Sequence, residues 1–168
     1  MFCTRKNLFR YLGLAVLLTG LTFPLHAAMV SFLVVEEGIR PGTDAGNYSS
    51  VWEDGLMSAF FDAGHIVSNS PIMRIEQLSQ QELPNEIKID YTDAERGGAD
   101  FFIVAVLAFN TQDRRARPES IIIKIFTTGT QQLIFTQQFP AGQGSNLQDE
   151  LSKARNIAGY IAAQITER

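Results

Sequence analysis

Few residues in this chain could perform acid–base or metal chemistry, and they are spread along its length. Beyond the first 28 residues there is one histidine, His65, and no cysteine. A metal site needs several ligands that converge on one point, so mainly carboxylates remain as candidates. Neighbouring side chains diverge in a helix or a strand, and we interpret the adjacent acidic pairs as solvated or helix-start charges. These pairs are Glu36–Glu37, Glu53–Asp54 and Asp149–Glu150.

Neither His65 nor the glycine-rich segment 142–146 has the surroundings that catalysis requires. His65 follows Gly64 at the predicted start of a strand, without a nucleophile elbow or a Cys–His pattern. We interpret it as a structural or surface histidine. The segment 142–146 lacks the lysine of a phosphate-binding loop and follows an antiparallel strand, which predicts a linker and a helix cap. We therefore expect no catalytic residue, no cofactor and no metal.

Three arginines stand close together in the polar segment 110–118: Arg114, Arg115 and Arg117. This segment joins two strands that we expect to be neighbours, so a two-residue turn would have been enough. Loops of extra length are more often functional, and arginine suits the recognition of carboxylates and phosphates. We predict that the three arginines contact an anionic partner. A solvated hairpin loop is the alternative interpretation, and the residues alone leave it open.

The glutamines around the last predicted strand permit a second kind of contact. They flank an apolar stretch that could lie at a sheet edge, and an open edge can accept a strand from a partner. An ordinary strand with polar ends is the alternative. The glutamines are Gln131, Gln132, Gln137 and Gln138.

Residues 1–28 have the pattern of a secretory signal peptide. Three basic residues precede an apolar run over 12–21, and Ala27 and Ala28 offer cleavage sites. The run is shorter than the ~20 residues of a membrane-spanning helix, which favours cleavage over an uncleaved anchor. We expect a periplasmic or secreted protein that is not an integral membrane protein.

Residues 29–168 have the length of a single domain. They contain 11 basic and 18 acidic residues, a net charge of −7. An acidic chain is poorly suited to nucleic acid, because bulk electrostatics oppose the contact. The only cysteine, Cys3, lies in the signal peptide, so no disulfide is expected in the domain.

The run from Gly98 to Phe109 is the longest apolar stretch outside the signal peptide. Its β-branched and aromatic residues predict a central strand that is buried on both faces. A buried helix is the alternative, and Gly97 and Gly98 before the run favour the strand. A first strand over 31–35 and a short one over 65–67 precede it. Strands over 119–127 and 131–139, joined by a turn at Gly129, follow it.

Four helices are predicted between and after these strands. Ser50 to Glu53 and Thr92 to Glu95 have the capping-box pattern that opens a helix. In the first of these helices Trp52 and Phe60 share the apolar stripe, and Phe61 lies off it. A helix over 72–83 and a C-terminal helix after Ser145 or Asn146 complete the set.

The order of elements predicts an α/β fold with one mixed sheet and helices packed on it. The first three strands are joined by helical crossovers and should be parallel. The last three should form an antiparallel meander.

Residues 95–104, from Glu95 to Val104, resemble the helix end, Gly-Ala-Asp sequence and apolar strand of one periplasmic family. That family comprises the N-terminal domain of TolB and the related domains of CsgG and of LpoB-type accessory proteins. Segment 68–78 and the strand pair around Thr128–Gly129 also resemble their counterparts there. The resemblance spans most of residues 30–166 and implies envelope assembly or interaction work.

Two functions are therefore expected for residues 29–168. The first is a non-enzymatic periplasmic interaction module that binds another envelope protein or an anionic envelope component. The second is an exported domain that binds a small ligand in a pocket between helices and sheet. The aromatic content motivates the second.

Overall fold

The computed structural model of the chain describes residues 27–39, 46–79, 81–110, 117–140 and 146–166. The strands are β1 (Met29–Glu37), β2 (Ile66–Asn69), β3 (Met73–Ile75), β4 (Phe101–Phe109), β5 (Pro118–Thr127) and β6 (Leu133–Pro140). The helices are α1 (Gly46–Asp62), α2 (Lys88–Arg96) and α3 (Leu147–Thr166), with a 3-10 turn at Asn85–Ile87.

All six strands belong to one mixed sheet in the order β2-β1-β4-β5-β6. β1 pairs in parallel with β4 on one side, and with β2 and then β3 on the other. β4, β5 and β6 are antiparallel neighbours. The α/β class, the parallel first part and the antiparallel meander predicted from the sequence are confirmed.

One face of the sheet, the helix-pair face, is covered by α1 and α3. Trp52 and Phe60 of α1 are fully buried there, and so are Ala158 and Ile161 of α3. The two helices approach so closely at Gly55 that an added Cβ would lie 2.5 Å from the Cβ of Ala154. This contact explains a glycine in the middle of a helix, where it otherwise costs stability.

The opposite face, the short-helix face, is covered by α2, the 3-10 turn and the segment around Leu78. Tyr91 of α2 packs edge-on against Phe102 and Phe126 of the sheet. This cover ends over β5, where Lys124 is only half-buried. The face is therefore closed over β1 and β4 and open towards β6.

Two predicted helix starts are wrong. α1 begins at Gly46, so the Ser50 of the predicted capping box lies inside the helix. α2 begins at Lys88, and the hydroxyl of Thr92 donates to the carbonyl of Lys88, 2.8 Å away, instead of capping a first turn. α1 begins before its capping-box pattern because its first turn is held by a tertiary contact: Ser49 is buried and its hydroxyl donates to Glu36.

The predicted helix over 72–83 is also wrong. Met73–Ile75 forms β3, whose three residues pair with the end of β1. Pairing with a buried strand outweighs a weak helical pattern, because the backbone groups of β1 need partners on both sides.

The end of α1 and the start of α3 are both capped, and of the two caps predicted for α3, Ser145 or Asn146, the structure shows Asn146. Gly64, with φ of 85°, ends α1, and the N–H of His65 donates to the carbonyl of Phe60 over 3.1 Å, as in a Schellman cap. The side chain of Asn146 accepts the N–H of Asp149 over 2.9 Å and so caps α3. None of the helices in the described part of the chain combines the length and apolar character that a membrane crossing requires.

Candidate functional site

The acidic residues singled out from the sequence point in different directions. Glu36 is 1% exposed and accepts the hydroxyl of Ser49 and the Nε–H of Arg74, each over 2.6 Å. The neighbouring Glu37 accepts the backbone N–H of Leu78 over 2.7 Å, on the other face of the sheet. The expected divergence of this pair is confirmed. The interpretation of Glu36 as a solvated charge is wrong, because its carboxylate is buried and bridges β1, α1 and β3.

Glu150 links the two long helices. It is 3% exposed and accepts the indole N–H of Trp52 over 2.9 Å. One turn later, burial lowers the pKa of Lys153, and its ammonium donates to the carbonyl of Pro140. In the described part of the chain no three His, Cys, Asp or Glu side chains converge as metal ligands would.

His65 is buried between the sheet and α3. It is 4% exposed, its Nδ1 accepts the backbone N–H of Ala28 over 3.3 Å, and it hydrogen-bonds the backbone of Ala162. Burial lowers the pKa of this imidazole, and the bond to Ala162 partly opposes that shift. His65 thus ties the first described residues of the chain to its last helix.

Of the three arginines predicted to contact a partner, the described residues include Arg117 only. Its side chain is exposed, immediately before β5. The amide of Asn110 donates to Glu119 over 2.7 Å and so bridges the ends of β4 and β5. Arg114 and Arg115 lie outside the described residues, as do residues 1–26 of the predicted signal peptide and 141–145 of the glycine-rich segment.

The strand β6 forms an edge of the sheet that lacks the usual protection. It is eight residues long, and within the described part of the chain no strand pairs with its outer side. Its sequence, LIFTQQFP, carries no charge. The opposite edge is made of β2 and β3, with four and three residues, and is interrupted at Pro71.

Aromatic rings stand beside this open edge on the helix-pair face. Phe135 and Phe139 are half-buried, and each ring lies about 6.5 Å from the ring of Tyr160 on α3. Tyr160 is 46% exposed. The sequence analysis missed Tyr160, since it lies off the apolar stripe of α3 and its neighbours come from another element.

A small cavity opens on the short-helix face, where its cover ends. Its volume is about 150 Å³. The residues around it are Glu37, Leu78, Ser79, Val106, Ile122 and Lys124. In the sequence this site is marked by a lysine, Lys124, within the isoleucine-rich strand β5, and the sequence analysis missed it. This cavity lies between the sheet and the segment around Leu78, whereas the sequence analysis expected a pocket between the sheet and a helix.

No family model matches the chain, and no curated protein matches it. Solved structures are similar in part. The PelC dodecamer from Paraburkholderia phytofirmans has a TM-score of 0.44 and 10% identity, over 80% of this chain and 84% of that chain. The DUF330 protein XCC0632 from Xanthomonas campestris has a TM-score of 0.44 and 12% identity, over 88% and 92%.

TolB from Acinetobacter baumannii is also similar, with a TM-score of 0.40 and 11% identity, over 82% of this chain and 30% of TolB. The family resemblance found in the sequence thus has a counterpart among solved structures at low identity.

Proposed function

We propose that residues 29–168 form a non-enzymatic interaction module that works outside the cytoplasm and binds another envelope protein. The partner contributes an extended segment, which lies along β6 as an added strand. The observation that carries this proposal is the open edge of β6. The contrast with the opposite edge supports it, because β6 pairs with β5 in one register from Phe135 to Pro140 and keeps a longer row of outward backbone groups than β2 or β3.

The physical reason is the hydrogen bonding of an edge strand. In an antiparallel pair, every second residue of the edge strand directs its N–H and C=O away from its neighbour. Proteins usually protect such a row with lysines, short strands or prolines. β2 and β3 are short and interrupted by Pro71. In β6 the protection is confined to its two ends: an irregular pairing near Ile134, and Pro140, whose carbonyl accepts the ammonium of Lys153. A partner strand would satisfy the outer groups of β6 through main-chain hydrogen bonds.

The side chains around β6 indicate what the partner segment looks like. Alternate residues of an added strand would lie beside Phe135 and Phe139 on the helix-pair face. Tyr160 extends this aromatic surface, so apolar partner residues suit that side. On the other face, Thr136 and Gln138 are exposed. A segment that alternates apolar and polar residues therefore fits best.

The internal use of the acidic groups and the histidine supports a non-enzymatic role. Glu36, Glu150 and His65 are each buried and hydrogen-bonded within the fold. The signal-peptide pattern of residues 1–28 supports export. The three arginines Arg114, Arg115 and Arg117 remain the proposed contact for an anionic group, and the exposure of Arg117 supports this.

The test is site-specific photo-crosslinking in intact cells. A photoreactive residue at Thr136 or at Gln138 should capture one and the same protein, identified by mass spectrometry. A matched control at Asp54, exposed on α1, should not. Gln137→Lys places a charge on the edge and should abolish capture. The free energy of unfolding should change by no more than about 0.5 kcal/mol, as for an exposed site.

The proposal would be overturned by no adduct from either position, by the same adducts from Asp54, or by capture that survives Gln137→Lys. Capture of a second copy of this chain alone would also overturn it, since the module would then be a self-associating one. The anionic contact is tested separately. Changing Arg114, Arg115 and Arg117 together to Ser should weaken partner binding in a salt-sensitive way.

A further inference from the structure

The hydrogen bonds at the end of β5 show which backbone groups of β6 point outward. The N–H of Thr127 donates to the carbonyl of Gln132, on the β6 side, over 3.0 Å. The next N–H, that of Thr128, donates to the carbonyl of Asp100, on the β4 side, over 3.1 Å. Because successive residues of a central strand bond to opposite neighbours, the odd-numbered residues of β5 bond to β6. Their partners in the register are Phe135, Gln137 and Phe139.

Thr136 and Gln138 therefore direct their N–H and C=O groups to the open side of β6. Pro140 has the same phase, but it has no N–H, and its carbonyl accepts the ammonium of Lys153. At the other end of β6 the register with β5 skips Ile134. Within the described part of the chain, the regular free edge thus consists of the backbone groups of two residues. This limits the paired part of a partner segment to about five residues.

The residue of such a segment that lies opposite Gln137 would have three aromatic rings beside it. Its side chain would lie on the helix-pair face, because Gln137 is exposed on that face, in register with Ile123. Phe135 and Phe139 would be its diagonal neighbours, within reach of a large side chain. The ring of Tyr160 lies 6.4 Å from that of Phe135 and 6.5 Å from that of Phe139, so it bridges them on the side of α3.

The main-chain hydrogen bonds of the edge cannot select one partner. Every extended segment offers the same N–H and C=O groups, and each bond replaces a bond to water. Selection must therefore come from side chains. Tyr160 is 46% exposed, and an apolar side chain placed against its ring would remove apolar surface from water. The side chains on either side of that residue would lie on the other face, beside the exposed Thr136 and Gln138.

We propose that the partner segment is anchored by one apolar side chain, opposite Gln137, and that Tyr160 is the residue that selects it. This assignment rests on the proposed function and deepens it. The two neighbours of the anchor are polar, because they lie beside Thr136 and Gln138. The partner is therefore recognised by a short polar–apolar–polar sequence within an extended segment, and a charged residue or a glycine at the central position is excluded.

Amide hydrogen exchange of the purified chain tests the phase of β6 without any partner. The amides of Thr136 and Gln138 should exchange faster than that of Gln137, by about tenfold or more, because only the latter is bonded to β5. Equal rates or the opposite order would overturn this assignment. The open edge, and with it the proposed function, would remain.

The second test uses the protein that a photoreactive residue at Gln138 captures, and a synthetic peptide of the cross-linked segment. Replacing the residues of the peptide by Ala one at a time should find one apolar position at which affinity falls by about tenfold or more. Tyr160→Ala in the chain should weaken the unchanged peptide by a similar factor, whereas Tyr160→Phe keeps the ring and should not. The matched control is Phe61→Ala, at a ring that is 71% exposed on α1, and it should bind normally.

A double-mutant cycle separates contact with the partner from support of the fold. In the Tyr160→Ala chain, replacing the anchor of the peptide by Ala should cost no more than about twofold, because both changes remove the same contact. Fully independent losses would overturn the assignment. So would a peptide in which a charged position carries the loss, or in which several apolar positions carry it equally. No capture at Gln138 would overturn the proposed function and this assignment together.

Discussion

The contact between α1 and α3 at Gly55 predicts that adding one methyl group there destabilises the fold. In Gly55→Ala the new Cβ would lie 2.5 Å from the Cβ of Ala154 and 3.3 Å from the backbone of Ala154 and Arg155. Carbon atoms prefer separations of about 3.5–4.0 Å, so the helices must move apart by roughly 1 Å. Overpacking of this kind costs about 1–3 kcal/mol.

A second glycine in a helix supplies the matched control. Gly159 lies in α3, is exposed, and a Cβ added there meets nothing within 4 Å. Gly159→Ala should therefore stabilise the fold by the intrinsic helical preference alone, about 1 kcal/mol. The same preference acts at Gly55, so it cancels when the two variants are compared. The free energies of unfolding should differ by about 1–3 kcal/mol, with Gly55→Ala the less stable.

Urea unfolding of both variants measures this difference, provided the slopes of the transitions agree. The double variant Gly55→Ala with Ala154→Gly removes the closest contact and should recover part of the loss relative to the two single variants. If Gly55→Ala gained stability as Gly159→Ala does, the two helices could not be packed as described. The same conclusion would follow if the double variant showed strictly additive effects.

Three further predictions concern the buried polar groups and the core. Ile161→Asp places a carboxylate where the side chain is fully buried and should cost roughly 3 kcal/mol or more; unchanged melting would show that α3 is not packed on the sheet. Glu150→Ala leaves the indole N–H of Trp52 without its acceptor and should cost about 1–3 kcal/mol. Glu150→Gln, which can still accept, should cost less, and equal losses in urea unfolding would contradict this. Burial lowers the pKa of His65 below its ordinary value of 6.5, so the unfolded chain binds its proton more readily. The contribution of His65 to stability is therefore complete above pH 6.5 and is lost as the pH falls below that value. His65→Gln should flatten the stability profile below pH 6.5, and an unchanged slope would refute the assignment.

The elements that could be predicted are those whose own residues decide their structure. β4 is an uninterrupted apolar run that suits a buried strand or a buried helix, and its β-branched and aromatic residues favoured the strand. In α3 the apolar residues recur every three or four positions along the whole element, a spacing that only a helix places on one face. Gly55 interrupts a helical pattern, and a missing side chain at such a position is a sign of a close neighbour, which the structure identifies as Ala154.

What could not be predicted depends on partners far away in the sequence. β3 has three residues, and only pairing with β1 makes it a strand. The capping-box patterns at Ser50 and Thr92 also occur inside helices, so they did not fix the helix starts. The cavity needs the registers of β1, β4 and β5, and the open edge of β6 needs the strand order. The glutamines around β6 suggested an edge as one of two interpretations, and the strand order decides for it. The cavity has no local pattern of its own and came from the structure.

The position of β1 has a consequence for the order in which the chain can fold. Among the described residues, β1 is the first strand to leave a ribosome or a translocon that releases the chain from its N-terminus. Its partner β4 lies about 70 residues later in the sequence. Until β4 has emerged, an almost wholly apolar strand has no partner on that side. Such non-local parallel pairing is slow to form and exposes the nascent chain to aggregation. Folding of the sheet must therefore wait until the chain has been released at least as far as the end of β4.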